Sequence, residues 1–260
     1  MSVPLLLVGG GRMGEALLGG MLAAGRPAQD FAVAEVSAAR RAALTATYPG
    51  VQVVEQPVAA EGVVLATKPN DIAAVAAAAA QAGAQRLLSV AAGITAAAIE
   101  AAAPLPVIRA MPNTPALVGA GVTAIAPGAH AGEDDLAWAE AILGAVGVVV
   151  RVKEAQLDAV TGVSGSGPAY VFLIAEALSD AGVLAGLPRD LANTLAFQTL
   201  LGSAQLLIDG DSPANLRAAV TSPGGTTAAG LRELERGGVR SAFLEAVMAA
   251  TERSRELGSR

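Results

Sequence analysis

The sequence predicts an α/β protein: an N-terminal Rossmann-type, doubly wound, mostly parallel sheet followed by an all-α C-terminal dimerisation domain. Three observations carry this reading. From Pro4 to about Val152, short apolar runs alternate with longer helix-forming ones. A glycine-rich turn, Gly9 to Gly14, falls between the first apolar run and the first helical run. After Val152 the strand signal stops and only helical segments follow. Strands alternating with helices imply right-handed crossovers and a sheet covered on both faces. Near-continuous apolar strands fit that burial.

In order, the strand candidates are LLLV (5–8), FAVAEV (31–36), VQVV (51–54), GVVLA (62–66), RLLSV (86–90), PVIRA (106–110), GVTAIA (121–126) and GVVVRV (147–152). Between them Arg12–Ala24, Ala38–Thr47, Asp71–Gln81 and a segment near Asp134–Leu143 are rich in good helix formers. The helical half reads as Glu154–Thr161, Pro168–Ala185, Arg189–Ile208, Pro213–Ala219, Thr227–Arg236 and Arg240–Leu257. Pro168 in a first helical turn and Gly186-Leu187-Pro188 between two helices punctuate these segments. The division is expected at 152/153, giving a dinucleotide-binding domain over 1–152 and a helical dimerisation and substrate domain over 153–260.

Composition narrows the chemistry. Of 260 residues, 53% are hydrophobic but only 3% aromatic, so the packing must be aliphatic and rich in Ala and Gly. The 17 Lys and Arg against 23 Asp and Glu give a net charge of −6 with no basic stripe, and no nucleic-acid partner is expected. With no Cys there are no disulfides, thiolate nucleophiles or Cys-ligated metals, and His130 is the single His. No metal cofactor is expected, and any chemistry must run without the usual acid–base side chains. Residues 1–8, MSVPLLLV, lack a basic n-region and a cleavage site, so they do not read as a signal peptide and cytoplasm is the expected compartment. The uncharged stretch Leu191–Ile208 is long enough to span a bilayer. It carries Asn193, Thr194, Gln198, Ser203 and Gln205, so it reads instead as a helix buried in a soluble assembly, and no membrane partner is expected.

Gly9, Gly11 and Gly14 supply G-x-G-x-x-G directly after a strand and before a helix. The glycines serve a tight turn, a close backbone approach to pyrophosphate and close helix–strand packing, while the helix N-terminus faces the phosphate charge. The structural alternative is a turn that only joins two elements. Glu35, at the end of the second strand, is placed to accept from a ribose 2′-hydroxyl. It would repel a 2′-phosphate by about 4 kcal/mol per charge pair at about 4 Å and an effective dielectric near 20. Arg40 and Arg41 lie close enough in sequence to compensate, so NADH is favoured and NADPH stays open. Three further loops follow strand ends, where ligands of doubly wound sheets collect: Ala66–Pro69, Val90–Gly93 and Arg109–Pro115. Lys68 is a charge at the end of a buried strand, with a snorkelling side chain as its structural alternative.

In the helical half, Val163–Tyr170 and Thr221–Thr227 are Gly/Ser/Thr turns that run into helices and present N–H groups and hydroxyls. Such a turn suits a small carboxylate, each charge-assisted hydrogen bond contributing roughly 1.5–3 kcal/mol. The structural alternative is that Ser222 or Thr226 caps its helix.

Six segments, in order along nearly the whole chain, resemble pyrroline-5-carboxylate reductases: VGGGRMG (8–14), ATKP (66–69), SVAAG (89–93), RAMPNTPALVGAG (109–121), VSGSGPAYVFLIAEALSDAGVLAGLP (163–188) and TSPGGTT (221–227). The resemblance implies reduction of the cyclic imine 1-pyrroline-5-carboxylate to L-proline by NADH or NADPH, the last step of proline biosynthesis. It implies cofactor contacts at Gly9, Gly11, Arg12, Met13 and Gly14, then Thr67, Lys68 and Pro69, then Val90, Ala91 and Ala92, beside Glu35. It implies substrate contacts at Ser222, Gly225, Thr226 and Thr227, with the carboxylate on the 225–226 backbone and the catalytic Thr227 hydroxyl near the imine nitrogen. It further implies a homodimer through the helical halves, assembled into larger rings. Two departures stand out: Glu35 replaces a small or neutral residue, and Thr67 replaces the commoner Val near the nicotinamide.

An imine can arrive protonated, and an iminium accepts hydride without a strong acid at hand, so a site with no His or Cys suffices. The nearest rival, a β-hydroxyacid dehydrogenase, needs a catalytic Lys four residues beyond the second glycine of a G-x-G. Counted from Gly167 that position is Val171, and no Lys follows Lys153. A catalytically silent dinucleotide-binding sensor is the other alternative, but it leaves the 163–170 and 221–227 turns without a task.

Overall fold

The computed structural model describes residues 2–258. Eight strands form one sheet: β1 (Val3–Val8), β2 (Phe31–Ala34), β3 (Gln52–Val54), β4 (Ala60–Leu65), β5 (Arg86–Ser89), β6 (Val107–Met111), β7 (Gly121–Pro127) and β8 (Gly147–Arg151). Their order is β3-β2-β1-β4-β5-β6-β7-β8, parallel throughout except for the antiparallel β6–β7 pair. Five helices accompany them: α1 (Arg12–Ala23), α2 (Ala38–Thr47), α3 (Ile72–Gln81), α4 (Ala96–Ala102) and α5 (Glu133–Leu143).

The strands are apolar on both faces because helices cover both. Along β1, Leu5 and Leu7 join one core cluster with Leu17, Met21 and Leu143, while Leu6 and Val8 join another with Ile72, Ala76 and Ile99. That alternation is the period of two of a pleated strand, here with core on each side. The chain leaves β1 for β2 and β3 on one side and returns to β4 on the other. The crevice at the carboxyl ends of β1 and β4 is therefore the topological switch point where such sheets bind ligands.

Two elements differ from the sequence reading. Helix α4 was not expected; Thr95 starts it, its hydroxyl accepting from the Ala98 N–H at 3.2 Å. The segment 163–167, expected as an open turn, is helical instead. Helix α6 (Leu157–Val160) passes into a π-helical turn, Thr161–Gly165, and then into α7 (Gly167–Leu184). The Ser166 N–H donates to the Thr161 carbonyl at 2.8 Å, and the Ser164 hydroxyl to the Val160 carbonyl at 3.1 Å. These groups are spent on the helix, so the segment is not the anion-binding turn the sequence suggested. At Gly165 the Met111 methyl carbon packs close, 2.8 Å from where a Cβ would stand.

The remaining helices are α8 (Arg189–Ile208), α9 (Pro213–Ala219), α10 (Thr226–Arg236) and α11 (Val239–Gly258). The described residues form two compact units, one of 2–166 with 249–258 and the other of 167–248. The strands end near the expected 152/153, but the chain stays with the sheet beyond it. Leu157 is buried beside Ala124 and Ala126 of β7, and Ser254 of α11 donates to Asp158 at 2.7 Å. In the second unit α7 and α8 approach closely, a Cβ on Gly182 falling 2.9 Å from that of Ala192. Large apolar side chains on both helices stay uncovered, among them Phe172, Leu173, Phe197 and Leu201. Among the described residues two helical stretches, Glu154–Leu184 and Arg189–Ile208, are long and apolar enough to cross a membrane by composition.

Candidate active site

The glycine turn occupies the switch point. The Gly9 N–H donates to the Ala34 carbonyl at 2.9 Å and the Ala66 N–H to the Val8 carbonyl at 2.8 Å, tying the ends of β1, β2 and β4 together. Gly9 has φ +104°, and a Cβ there would lie 2.5 Å from the Ala66 carbonyl oxygen. A Cβ on Gly14 would overlap the Gly9 carbonyl, whereas one on Gly11 meets nothing within 4 Å. The first and third glycines thus serve packing, and the second keeps a space open. Gly11 is the N-cap of α1 and offers no side-chain acceptor, leaving the first-turn N–H groups of Arg12 and Met13 toward that space. The residues fit a pyrophosphate.

Glu35 is held by backbone. One carboxylate oxygen accepts the Gly10 N–H at 2.9 Å and the other accepts the Ser37 N–H at 2.9 Å. Arg40 donates to the Gly10 carbonyl at 2.6 Å and pairs with Glu15, so the Gly10 peptide is gripped at both ends. Arg41 donates to the carbonyls of Glu35 and Val36 and pairs with Glu55 at 3.3 Å. Both arginines expected to compensate a 2′-phosphate are therefore already engaged. Burial, followed by the Glu15 carboxylate, pushes the Tyr48 phenol above its ordinary range at the far end of this network.

A cavity of about 360 Å³ opens beside the turn, lined by Gly9, Glu35, Val36, Glu55, Thr67, Asp71 and neighbours on α3. Thr67, expected near the nicotinamide, shares this cavity with Glu35. Its hydroxyl oxygen is buried with no hydrogen-bond partner. Lys68 is exposed, and Pro69 opens a short 3-10 turn that runs into α3. In the next loop the Val90 N–H donates to the Leu65 carbonyl at 3.1 Å, Ala91 is buried, Ala92 is exposed and Gly93 has φ +80°. Glu154 braces that loop from outside, accepting the Ala96 N–H at 2.7 Å and pairing with Arg109 at 2.9 Å. Sequence reading missed this brace because its partners are remote in the chain. Asn113 has a structural task, accepting the Val122 N–H at 2.9 Å.

In the other unit, α10 begins at Thr226 with Gly225 as an N-cap that offers no side-chain bond. Neither Ser222 nor Thr226 caps the helix, and Ser222, Thr226 and Thr227 are all exposed. A Cβ on Gly225 would lie 2.5 Å from the Ser222 hydroxyl oxygen, so the Ser222 side chain sits close against this N-cap. Ser222, Thr226 and Thr227 thus carry three exposed hydroxyls in the turn and first residues of a helix without a side-chain cap, the kind of helix end that attracts an anion. Among the described residues no group of three His, Cys, Asp or Glu side chains is placed to hold a metal ion.

Comparison with known proteins agrees with both halves. A family profile described as pyrroline-5-carboxylate reductase dimerisation matches residues 154–257, and one described as NADP oxidoreductase coenzyme F420-dependent matches residues 5–93. The chain is 49% identical to a pyrroline-5-carboxylate reductase of Mycobacterium tuberculosis, over 97% of this chain and 96% of that one. It is also 49% identical to that of Synechocystis over the full length of both. Among solved structures, a pyrroline-5-carboxylate reductase from Coxiella burnetii aligns with a TM-score of 0.92 at 35% identity, over 99% of both chains. A pyrroline carboxylate reductase of Plasmodium falciparum with NADP bound aligns at 0.86 and 29% identity, over 98% of both. With a whole-length relative at this identity, and the uncapped α10 turn and the glycine cradle both present, the chain belongs to the pyrroline-5-carboxylate reductase family.

Proposed function

We propose that this protein reduces 1-pyrroline-5-carboxylate to L-proline, the last step of proline biosynthesis, with a reduced nicotinamide dinucleotide as hydride donor. The observation that carries the reading is the uncapped N-terminus of α10, where Ser222, Thr226 and Thr227 offer three hydroxyls that the helix itself does not use. A carboxylate accepts from the Gly225 and Thr226 backbone there, with Ser222 beside it.

The bound dinucleotide supplies the hydride. Gly9, Gly11, Arg12, Met13 and Gly14 would hold its pyrophosphate, Glu35, Thr67, Lys68 and Pro69 would flank its sugars, and Val90, Ala91 and Ala92 would give a flat backbone surface for the nicotinamide. The substrate enters as the protonated imine. Its N–H would donate to the Thr227 hydroxyl oxygen, which holds the ring in one orientation and leaves the carbon of the C=N bond as the acceptor of hydride. Hydride adds to that carbon, the π pair becomes the nitrogen lone pair, and the resulting amine takes its proton from solvent. Thr227 orients and does not supply an acid, because a hydroxyl pKa is far too high for that task. Orientation and charge capture are enough for an electrophile that is already cationic.

Glu35, Glu55 and Asp71 around one cavity disfavour a 2′-phosphate, which favours NADH over NADPH. We assign residues 1–152 to dinucleotide binding and 153–260 to substrate binding and dimerisation, in a soluble cytoplasmic homodimer that builds larger rings. The uncovered apolar side chains of α7 and α8 lie within the segment matched by the dimerisation profile, which supports a second copy of the chain as their cover. A β-hydroxyacid dehydrogenase activity is disfavoured by Val171 at the lysine position. Growth rescue of a proline-requiring strain separates an enzyme from a silent sensor: rescue supports the reading, and failure with soluble, folded protein opposes it.

A further inference from the structure

Thr67 holds one of two side-chain oxygens among the described residues that are buried without a hydrogen-bond partner, the other being that of Ser179. Polar groups in such positions are rare in folded proteins because they forfeit water and gain nothing in return. A valine would fill the same volume with no unmet bond. The place of this hydroxyl is informative. Thr67 follows β4 at the switch point, and its backbone nitrogen lies 3.1 Å from where a Cβ on Gly9 would stand. The residue lines the 360 Å³ cavity together with Glu35, Glu55 and Asp71. It is partly exposed while its hydroxyl oxygen is not, so its other atoms carry that exposure. A rotation of about 120° about the Cα–Cβ bond moves the hydroxyl to the place the methyl now holds and the methyl to that of the Cβ hydrogen, which is how the oxygen would reach the cavity.

We propose that the Thr67 hydroxyl is a hydrogen-bonding contact to the adenosine half of the bound dinucleotide, donating to a sugar or phosphate oxygen in this cavity. The proposal rests on the dinucleotide-binding reading above and deepens it. The ligand-free chain then carries an unmet hydroxyl, and binding satisfies it. Glu35, Glu55 and Asp71 bring only acceptors to the cavity when ionised, so the neutral side-chain donors for a ligand oxygen there are the Thr67 hydroxyl and the Gln56 amide.

The test compares wild type, Thr67→Val and Thr67→Ser in calorimetric titrations with NADH and with AMP, together with thermal unfolding of each protein without ligand. Thr67→Val is expected to weaken both ligands about fivefold, the worth of one neutral hydrogen bond. Its ligand-free unfolding temperature is expected to equal or exceed that of wild type. Thr67→Ser is expected to bind both ligands within about twofold of wild type, since it keeps the donor. Wild-type affinity in Thr67→Val overturns the contact. A loss confined to NADH, with AMP unaffected, overturns its assignment to the adenosine half. A lower unfolding temperature in Thr67→Val shows a structural role instead. Failure of wild type itself to bind NADH or NADPH sinks the dinucleotide reading as a whole, a result distinct from the others.

Discussion

The Glu35 carboxylate accepts the Gly10 N–H at 2.9 Å, so the residue proposed to read the ribose also braces the turn proposed to hold the pyrophosphate. The two roles separate by substitution. Glu35→Gln keeps an acceptor for Gly10 and removes the charge; it is expected to raise kcat/KM for NADPH relative to NADH about tenfold, a fraction of the full repulsion of adjacent charges. Glu35→Ser is expected to shift the ratio the same way while weakening both dinucleotides, because the brace is lost. Steady-state kinetics with both cofactors measures this, and an unchanged ratio in both variants removes Glu35 from ribose recognition.

The glycines of the cradle are expected to fail in different ways. Gly14→Ala drives a Cβ into the Gly9 carbonyl and is expected to destabilise the protein by about 1–3 kcal/mol, lowering its unfolding temperature by several degrees. Gly11→Ala meets open space and is expected to leave the unfolding temperature within about 2 °C, yet to weaken dinucleotide binding tenfold or more. Thermal unfolding beside binding titrations distinguishes the two. Wild-type affinity in Gly11→Ala contradicts the pyrophosphate assignment.

Thr227→Ala is expected to lower kcat/KM for the imine by roughly 10- to 100-fold, one or two hydrogen bonds' worth of barrier. The residue is exposed and makes no capping bond, so the fold and the affinity for dinucleotide are expected to be unaffected. Circular dichroism and cofactor titration check that part, and full activity in the folded variant excludes Thr227 from the mechanism.

Leu173 is 65% exposed and Phe197 54% exposed in the single chain, a poor arrangement for a soluble monomer. Leu173→Asp and Phe197→Asp are each expected to yield smaller particles in light scattering, with the helical content retained. Particles of wild-type size in both variants place the subunit contact elsewhere.

What could be read in advance follows the range of the interactions. Strands such as β1 and β4 declare themselves because burial on both faces demands unbroken apolar runs, and the cradle because its glycines fall between a strand and a helix. The π-helical turn at Thr161–Gly165 was hidden, since Gly and Ser carry the signal of an open turn and nothing local announces a bond from residue 166 back to 161. Helix α4 escaped because seven residues, mostly Ala, follow Gly93 with only Thr95 as a start signal. The positions of Glu35 and Arg40 were legible, but their grip on Gly10 spans 25 and 30 residues and emerges only once β1 and β2 lie side by side. The orphan hydroxyl of Thr67 is likewise a property of packing, which one residue letter cannot disclose.

The most direct test follows oxidation of NADH and NADPH by the purified protein with racemic 1-pyrroline-5-carboxylate, beside a panel of 3-hydroxyacids, with proline quantified at the end. The account predicts one proline formed per dinucleotide oxidised and no turnover of the hydroxyacids. Hydroxyacid turnover, or no dinucleotide oxidation with the cyclic imine, would contradict it.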